Sequence, residues 1–172
     1  SHVTASPNHQ TGRSAPLKFR FDVAMSGRLG FELQPCNMTE EDMVFSKRAL
    51  AEYKRIRPVV QFGDLYRLSS PYESRVASLM YVYGKRAVVF ARLMDKWLAD
   101  SPPPLRLKGL NPSARYLVRE INMNEDGSLT DVHERRLGGD FLMDAGIRIR
   151  WKKAFQSVCL EVVETNPGAP AS

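Results

Sequence analysis

Leu79-Met80-Tyr81-Val82-Tyr83-Gly84-Lys85-Arg86-Ala87-Val88-Val89-Phe90 is the stretch that decides the fold. Tyr83-Gly84-Lys85-Arg86 is a tight hairpin signal, because a two-residue loop needs a residue that accepts positive φ. The flanks are continuously apolar, which predicts a buried pair of strands. Working outward, residues 65–68, 75–83, 86–94, 115–122, 147–151 and 157–164 all read as strands. Ser101-Pro102-Pro103-Pro104 cannot join a central strand and is expected as a loop or an edge. Asn124-Glu125-Asp126-Gly127-Ser128 reads as a second turn. Short strands at regular spacing with such turns predict an antiparallel β-sandwich over 63–164. Residues 165–172 read as a loose tail.

Upstream of residue 63 the pattern changes to helical. His2-Val3-Thr4-Ala5-Ser6 is a short β-prone run, ended by the polar, turn-rich Pro7-Asn8-His9-Gln10-Thr11-Gly12. A helix is expected from Pro16, suited to a first turn, to about Ser26. Thr39 is a good N-cap for a second helix, and Glu40, Glu41 and Asp42 favour the positive end of its dipole. Phe45, Ala49, Tyr53, Ile56 and Val60 recur at three- and four-residue spacing and give that helix one apolar face. Pro58 is expected to kink or restart it, and Gly63 to end it. The fold class is therefore α+β, with residues 1–62 as strand and helices and an antiparallel domain behind them.

The 172 residues are 43% hydrophobic and 26% charged, which suits a packed core. No apolar run reaches the ~20 residues of a membrane span. No signal-peptide pattern is visible, which favours the cytoplasm, while the opening Ser-His-Val reads as a strand cut from a longer chain. The net charge of +6 raises nucleic acid as a partner. Its basic residues, however, are spread from Arg13 to Lys153 among acids rather than gathered into a surface. In the densest cluster, Arg148, Arg150 and Lys152 alternate and so share one solvated strand face, with Lys153 adjoining. Cys159 sits in an apolar run and is expected as a buried thiol, far in sequence from Cys36. His2, His9 and His133 lack the spacing of a metal cluster, so no metal and no cofactor is expected.

No Gly-rich phosphate loop, Ser-centred elbow, H-E-x-x-H pair or Cys/His pairing occurs. Gly138-Gly139-Asp140 is too short for a phosphate cradle and reads as a turn beside Phe141-Leu142-Met143. Asp64 and Asp140 each follow a glycine and read as turn or cap residues. Glycosidase chemistry needs two carboxylates held ~5–10 Å apart, and nothing here predicts such a pair. Asp95-Lys96-Trp97 offers a Trp able to stack on a sugar, while Trp151 reads as cover for the sandwich edge. The most site-like stretch is residues 6–13, with Asn8, His9, Gln10 and Arg13 close together after a strand. Those groups suit sugar hydroxyls, and they equally suit a polar loop that caps the next helix. The residues alone leave both readings open.

Residues 2–13, His2-Val3-Thr4-Ala5-Ser6-Pro7-Asn8-His9-Gln10-Thr11-Gly12-Arg13, resemble a segment near the end of the catalytic barrel in glycoside hydrolase family 36 α-galactosidases. Further matches follow in order. Val23-Ala24-Met25-Ser26-Gly27 with Gly30-Phe31-Glu32-Leu33 looks like the family's next helix and turn. Tyr53-Lys54 with Gln61-Phe62-Gly63-Asp64-Leu65-Tyr66-Arg67-Leu68 is similar to its helix-to-sandwich junction. Leu107-Lys108-Gly109-Leu110-Asn111-Pro112 and Gly138-Gly139-Asp140-Phe141-Leu142-Met143 fit its C-terminal domain.

The resemblance implies a (β/α)8 barrel upstream, with residues 2–6 as its eighth strand and Asn8, His9 and Gln10 on the active-site rim. It implies retaining hydrolysis of terminal α-galactosides by two aspartates. Both would lie upstream of Ser1. The family's Lys-Trp-Asp motif is absent, since Asp95-Lys96-Trp97 runs in reversed order, and so is its Ser-Asp motif. The expected catalytic set in this chain is therefore empty, and the chain alone is expected to be inactive and to brace the barrel. The substrate partner would be an α-galactoside held by the barrel, with no nucleic acid and no membrane, and with self-association through exposed edges. An independent carbohydrate-binding sandwich that uses Trp97 and Trp151 is the alternative.

Overall fold

The computed structural model describes residues 1–95, 102–123 and 127–165. The hairpin forms as read. β4 (Val76–Tyr83) pairs with β5 (Arg86–Leu93), Tyr83 opposite Arg86, so the loop is Gly84-Lys85. Gly84 takes φ +58 at the first loop position, where a β-carbon would be strained. Around this pair lies a six-stranded antiparallel sheet in the order β3-β4-β5-β8-β6-β7. Its other members are β3 (Asp64–Ser69), β6 (Arg115–Ile121), β7 (Arg135–Gly138) and β8 (Gln156–Thr165). β8 runs antiparallel beside β5, with Phe90 opposite Cys159.

Both faces of the central strands are buried, which explains the unbroken apolar runs. Val88, Phe90, Ile121 and Cys159 point to one face, against α1 (Leu17–Met25) and α2 (Glu40–Phe62). Ala87, Val89, Ala91, Leu160 and Val162 point to the other. There the sheet is covered by Leu105, Leu107, Leu110, Val132, Leu142 and Ile147. This second layer is mostly irregular chain, tied by single bridges from Leu105 to Ile147 and from Thr130 to Ile149. The run 147–151, expected as a strand, keeps its alternation but touches a different segment at each bridge. It therefore builds no ladder.

Thr39 caps α2, its Oγ1 accepting the Asp42 N–H at 3.1 Å. α2 does not restart at Pro58 but continues to Phe62. Pro58 is exposed and close to the C-terminal end, so the carbonyl it leaves unbonded can meet water. Gly63 ends the helix at φ −79, so left-handed backbone is not its reason. A β-carbon there would sit 2.4 Å from the Val59 carbonyl oxygen and 2.9 Å from that of Val82. The glycine lets the helix end lie close against β4 as the chain turns into β3.

In the N-terminal part, β1 (His2–Val3) lies parallel to β2 (Gly30–Phe31), with α1 between them. Sequence reading placed one strand here, and the structure adds this second one. The unit is thus β-α-β, the building block of parallel sheets. A β-carbon on Gly30 would fall 2.0 Å from the ring of His2, an exposed side chain that would have to turn aside for any larger residue. Three more elements occur among the described residues: α3 (Pro71–Ser74), α4 (Gly139–Asp144) and a 3-10 turn at Pro35–Asn37. The stretch read as a turn at Gly138-Gly139-Asp140 is the start of α4. Thr165 closes β8, and residues 166–172 of the expected tail lie outside the described residues.

Candidate functional site

The loop after β1 is folded around one side chain. Asn8 Oδ1 accepts the backbone N–H of Gln10 and of Thr11, each at 3.0 Å, and the Thr11 hydroxyl at 3.2 Å. The Asn8 N–H donates to the Arg13 carbonyl at 2.9 Å, and the Gly12 N–H returns to the Asn8 carbonyl at 2.8 Å. Gly12 closes the turn at φ +66. Asn8 is thereby spent on building the loop, as Asx turns do. His9 and Gln10 stand exposed at its tip. The structure brings the three named residues together and divides their work: one shapes the turn and two are presented.

The neck of the loop is tied as well. The Ala15 N–H donates to Ser6 Oγ at 3.2 Å. Arg20, half-buried on α1, donates Nε–H to the Ala15 carbonyl at 3.0 Å and a terminal N–H to the Thr4 carbonyl. Burial pulls its guanidinium below the ordinary value, and the Asp42 carboxylate pushes it back up.

α1 is fastened to the sheet by buried polar contacts. Lys18 Nζ meets Asp22 Oδ2 at 2.5 Å, one turn apart, and both side chains are buried. Asn122 Nδ2 donates to Asp22 Oδ1 at 2.6 Å. At the other end of α1, the Tyr81 hydroxyl donates to the Ser26 carbonyl at 2.8 Å. Sequence reading missed Arg20, Lys18 and Asp22. Helical spacing marks Lys18 and Asp22 as an i,i+4 pair, but nothing in the sequence signals that they are buried.

The remaining residues singled out from the sequence do not gather into a site. Asp64 is exposed at the start of β3. Asp140 Oδ1 accepts the Phe141 N–H at 2.7 Å in the first turn of α4. His133 Nδ1 accepts the Glu120 N–H at 3.0 Å. Trp151 is half-buried against the core, and Lys96 and Trp97 lie outside the described residues. Cys159 is a free buried thiol, its pKa pushed well up by burial, while Cys36 is free and exposed. Among the described residues no group of three or more His, Cys, Asp or Glu side chains is placed to hold a metal. No helix among them is long and apolar enough to cross a membrane.

Two carboxylates stand out. Glu161 on β8 is buried and accepts from Arg55, from Arg86 at 2.7 Å and from Arg119 at 3.2 Å. Burial works to raise its pKa, but hydrogen bonds from Arg55 and Arg86 outweigh it and the net direction is down. Glu120 is buried too, and accepts from Ser128 Oγ and from the Leu129 N–H at 3.0 Å. There burial wins and pushes the carboxyl up. These are anchors between elements, not a facing pair across a cleft.

A β-α-β unit with a built loop on its strand end is followed by a six-stranded antiparallel sheet. The comparisons supply the class. Residues 1–63 match the Melibiase family, and residues 76–162 match the glycosyl hydrolase family 36 C-terminal domain. The chain belongs to glycosyl hydrolase family 36. It is similar to α-galactosidase AgaA of Geobacillus stearothermophilus, 38% identical over 157 residues, 90% of this chain and 20% of that protein. It is also similar to α-galactosidase C of Emericella nidulans, 40% identical over 121 residues, 69% of this chain and 16% of that protein. Among solved structures, an AgaA variant in complex with raffinose aligns with TM-score 0.84 at 35% identity, over 96% of this chain and 22% of that one. An α-galactosidase from Lactobacillus brevis aligns with TM-score 0.81 at 30% identity, over 99% and 23%. The chain thus spans about a fifth of the length of the curated relatives it matches.

Proposed function

We propose that this chain is the closing part of an α-galactosidase. In this reading β1, α1, β2 and α2 belong to the end of the catalytic barrel, and the antiparallel domain braces them. The parent enzyme hydrolyses terminal α-galactosides with retention, through one nucleophilic aspartate and one acid/base aspartate. Both lie upstream of residue 1, so the chain alone has no hydrolytic activity. Asn8, His9 and Gln10 occupy the rim of the active site, Asn8 by shaping the loop and His9 and Gln10 by facing the sugar side. The observation that carries this is the loop itself, built at the C-terminal end of a strand in a parallel pair, where barrel enzymes place their sites.

Self-association belongs to the same proposal. β3 is an outer strand of its sheet, and Leu65 on it is exposed together with the adjacent Phe62 and Tyr83. An apolar patch on an unpaired strand edge favours pairing with another copy.

The test is an aryl α-galactoside assay on two proteins: this chain alone, and the chain joined to its upstream sequence. Release of the aryl group only by the longer protein is expected. Turnover by the short chain, or none by the long one, would overturn the proposal.

A further inference from the structure

The tip of the 6–13 loop is exposed, yet its neck is gripped from below by one side chain. Arg20 reaches the Thr4 carbonyl on the strand side and the Ala15 carbonyl on the helix side. Those two residues are where the loop leaves and rejoins the regular structure. A guanidinium is planar and offers its N–H groups in a fixed fork, so satisfying two carbonyls at once also fixes the spacing between them. An ammonium group has no such plane. Arg20 sits in α1, and α1 is held on the sheet by Asp22 to Asn122 and by Tyr81 to Ser26. A continuous set of contacts therefore runs from the antiparallel sheet, through α1 and Arg20, to the loop.

We propose that Arg20 is a positioning residue for the parent enzyme's sugar site, setting where the His9-Gln10 tip stands without touching substrate itself. This rests on the α-galactosidase reading. The loop's internal bonds around Asn8 keep its shape, whereas Arg20 sets its placement. Loss of the fork leaves a well-formed loop on a loose neck. A misplacement of about 1 Å at a site can lower turnover by about a hundredfold, so even partial slack is measurable.

The experiment is steady-state kinetics of the full-length protein on an aryl α-galactoside, comparing wild type, Arg20→Lys, His9→Ala and the double variant. Arg20→Lys is expected to lower kcat/KM by about tenfold, within the range that misplacement produces. His9→Ala should cost comparably, and the double variant should cost little more than either, because both act through the same tip. Ser6→Ala loosens the other tie of the neck. It should give a smaller loss, again non-additive with His9→Ala, and it decides the matter if Arg20→Lys does not fold. A folded Arg20→Lys protein with unchanged kcat and KM overturns the inference while leaving the α-galactosidase reading intact. So does a loss that adds fully to that of His9→Ala. An inactive full-length wild type overturns the functional reading, and the inference with it.

Discussion

Replacing Glu161 by Gln should destabilise the protein at neutral pH and cease to matter in acid. Glu161 is one buried carboxylate serving three guanidinium groups, those of Arg55, Arg86 and Arg119. Arg55 and Arg119 also share Glu52, at 2.5 and 3.8 Å. Removing one partner of a buried ion pair costs about 3–5 kcal/mol. The arginine side chains are 36–40% exposed, so water screens part of that. The discounted loss is about 2–3 kcal/mol. For a chain of this size that lowers Tm by about 4–12 °C. The folded-state pKa of Glu161 lies below its ordinary 4.5. Its contribution is therefore full above that value and is lost as pH falls through the depressed folded value. Thermal unfolding of both proteins at pH 7 and in acid reads this directly. A Tm difference that is absent at pH 7, or as large in acid as at pH 7, would refute the reasoning.

Glu120 should give the opposite slope. Burial raises its folded-state pKa, so protonation favours the fold and stability rises as pH drops from neutral toward 4.5. Glu120→Gln should flatten that part of the Tm profile. Gly63→Ala should cost about 1–3 kcal/mol in urea unfolding, since its β-carbon meets main-chain oxygens that cannot move aside. Thr39→Ala should cost about 1 kcal/mol, through loss of the bond to the Asp42 N–H. Asn8→Ala removes the acceptor of three donors and should speed limited trypsin cleavage after Arg13, which follows from timed mass spectrometry of the digest.

The sheet was legible because burial on both faces leaves a composition signature. Val88-Val89-Phe90 has no polar alternative to a central strand, and Gly84 fixes where it turns. The cover on the far face was not, because Leu105, Leu107 and Leu110 each act as single anchors without a ladder. β2 is two residues long, too short for any periodicity, and its Gly30-Phe31 pair reads as a helix end. α4 is capped by Gly138 and begins at Gly139, and two successive glycines argue against a helix. Gly139 is there because a β-carbon would lie 2.0 Å from the Asn111 carbonyl oxygen. In the candidate site, residue chemistry pointed to the loop but not to its division of labour. An amide that binds sugar and an amide that builds a turn look the same until its acceptor is placed. Arg20 carried no signal, since both its partners are main-chain carbonyls that any sequence supplies.

The change of pattern at residue 63 divides the sequence, yet the packing does not divide there. Phe21, Ala24 and Met25 from α1 and Ala49, Ile56 and Val59 from α2 share one buried cluster with Val88, Phe90, Ile121 and Cys159 from the sheet. Arg55 of α2 reaches across the same boundary to Glu161 of β8. Helices that present their apolar faces to this sheet cannot move independently of it. Displacing the sheet uncovers those apolar faces, at about 25 cal/mol per Å² exposed. The loop inherits this rigidity because α1 follows it directly and Arg20 ties it back. A substitution in the antiparallel domain that tilts α1, such as Asn122→Ala at the Asp22 contact, should therefore reach His9 and Gln10 without touching them. Hydrogen exchange of the residues 6–13 amides tests this, with faster exchange in Asn122→Ala expected. Unchanged exchange in a variant whose α1 has loosened would show that the loop holds its place without the sheet.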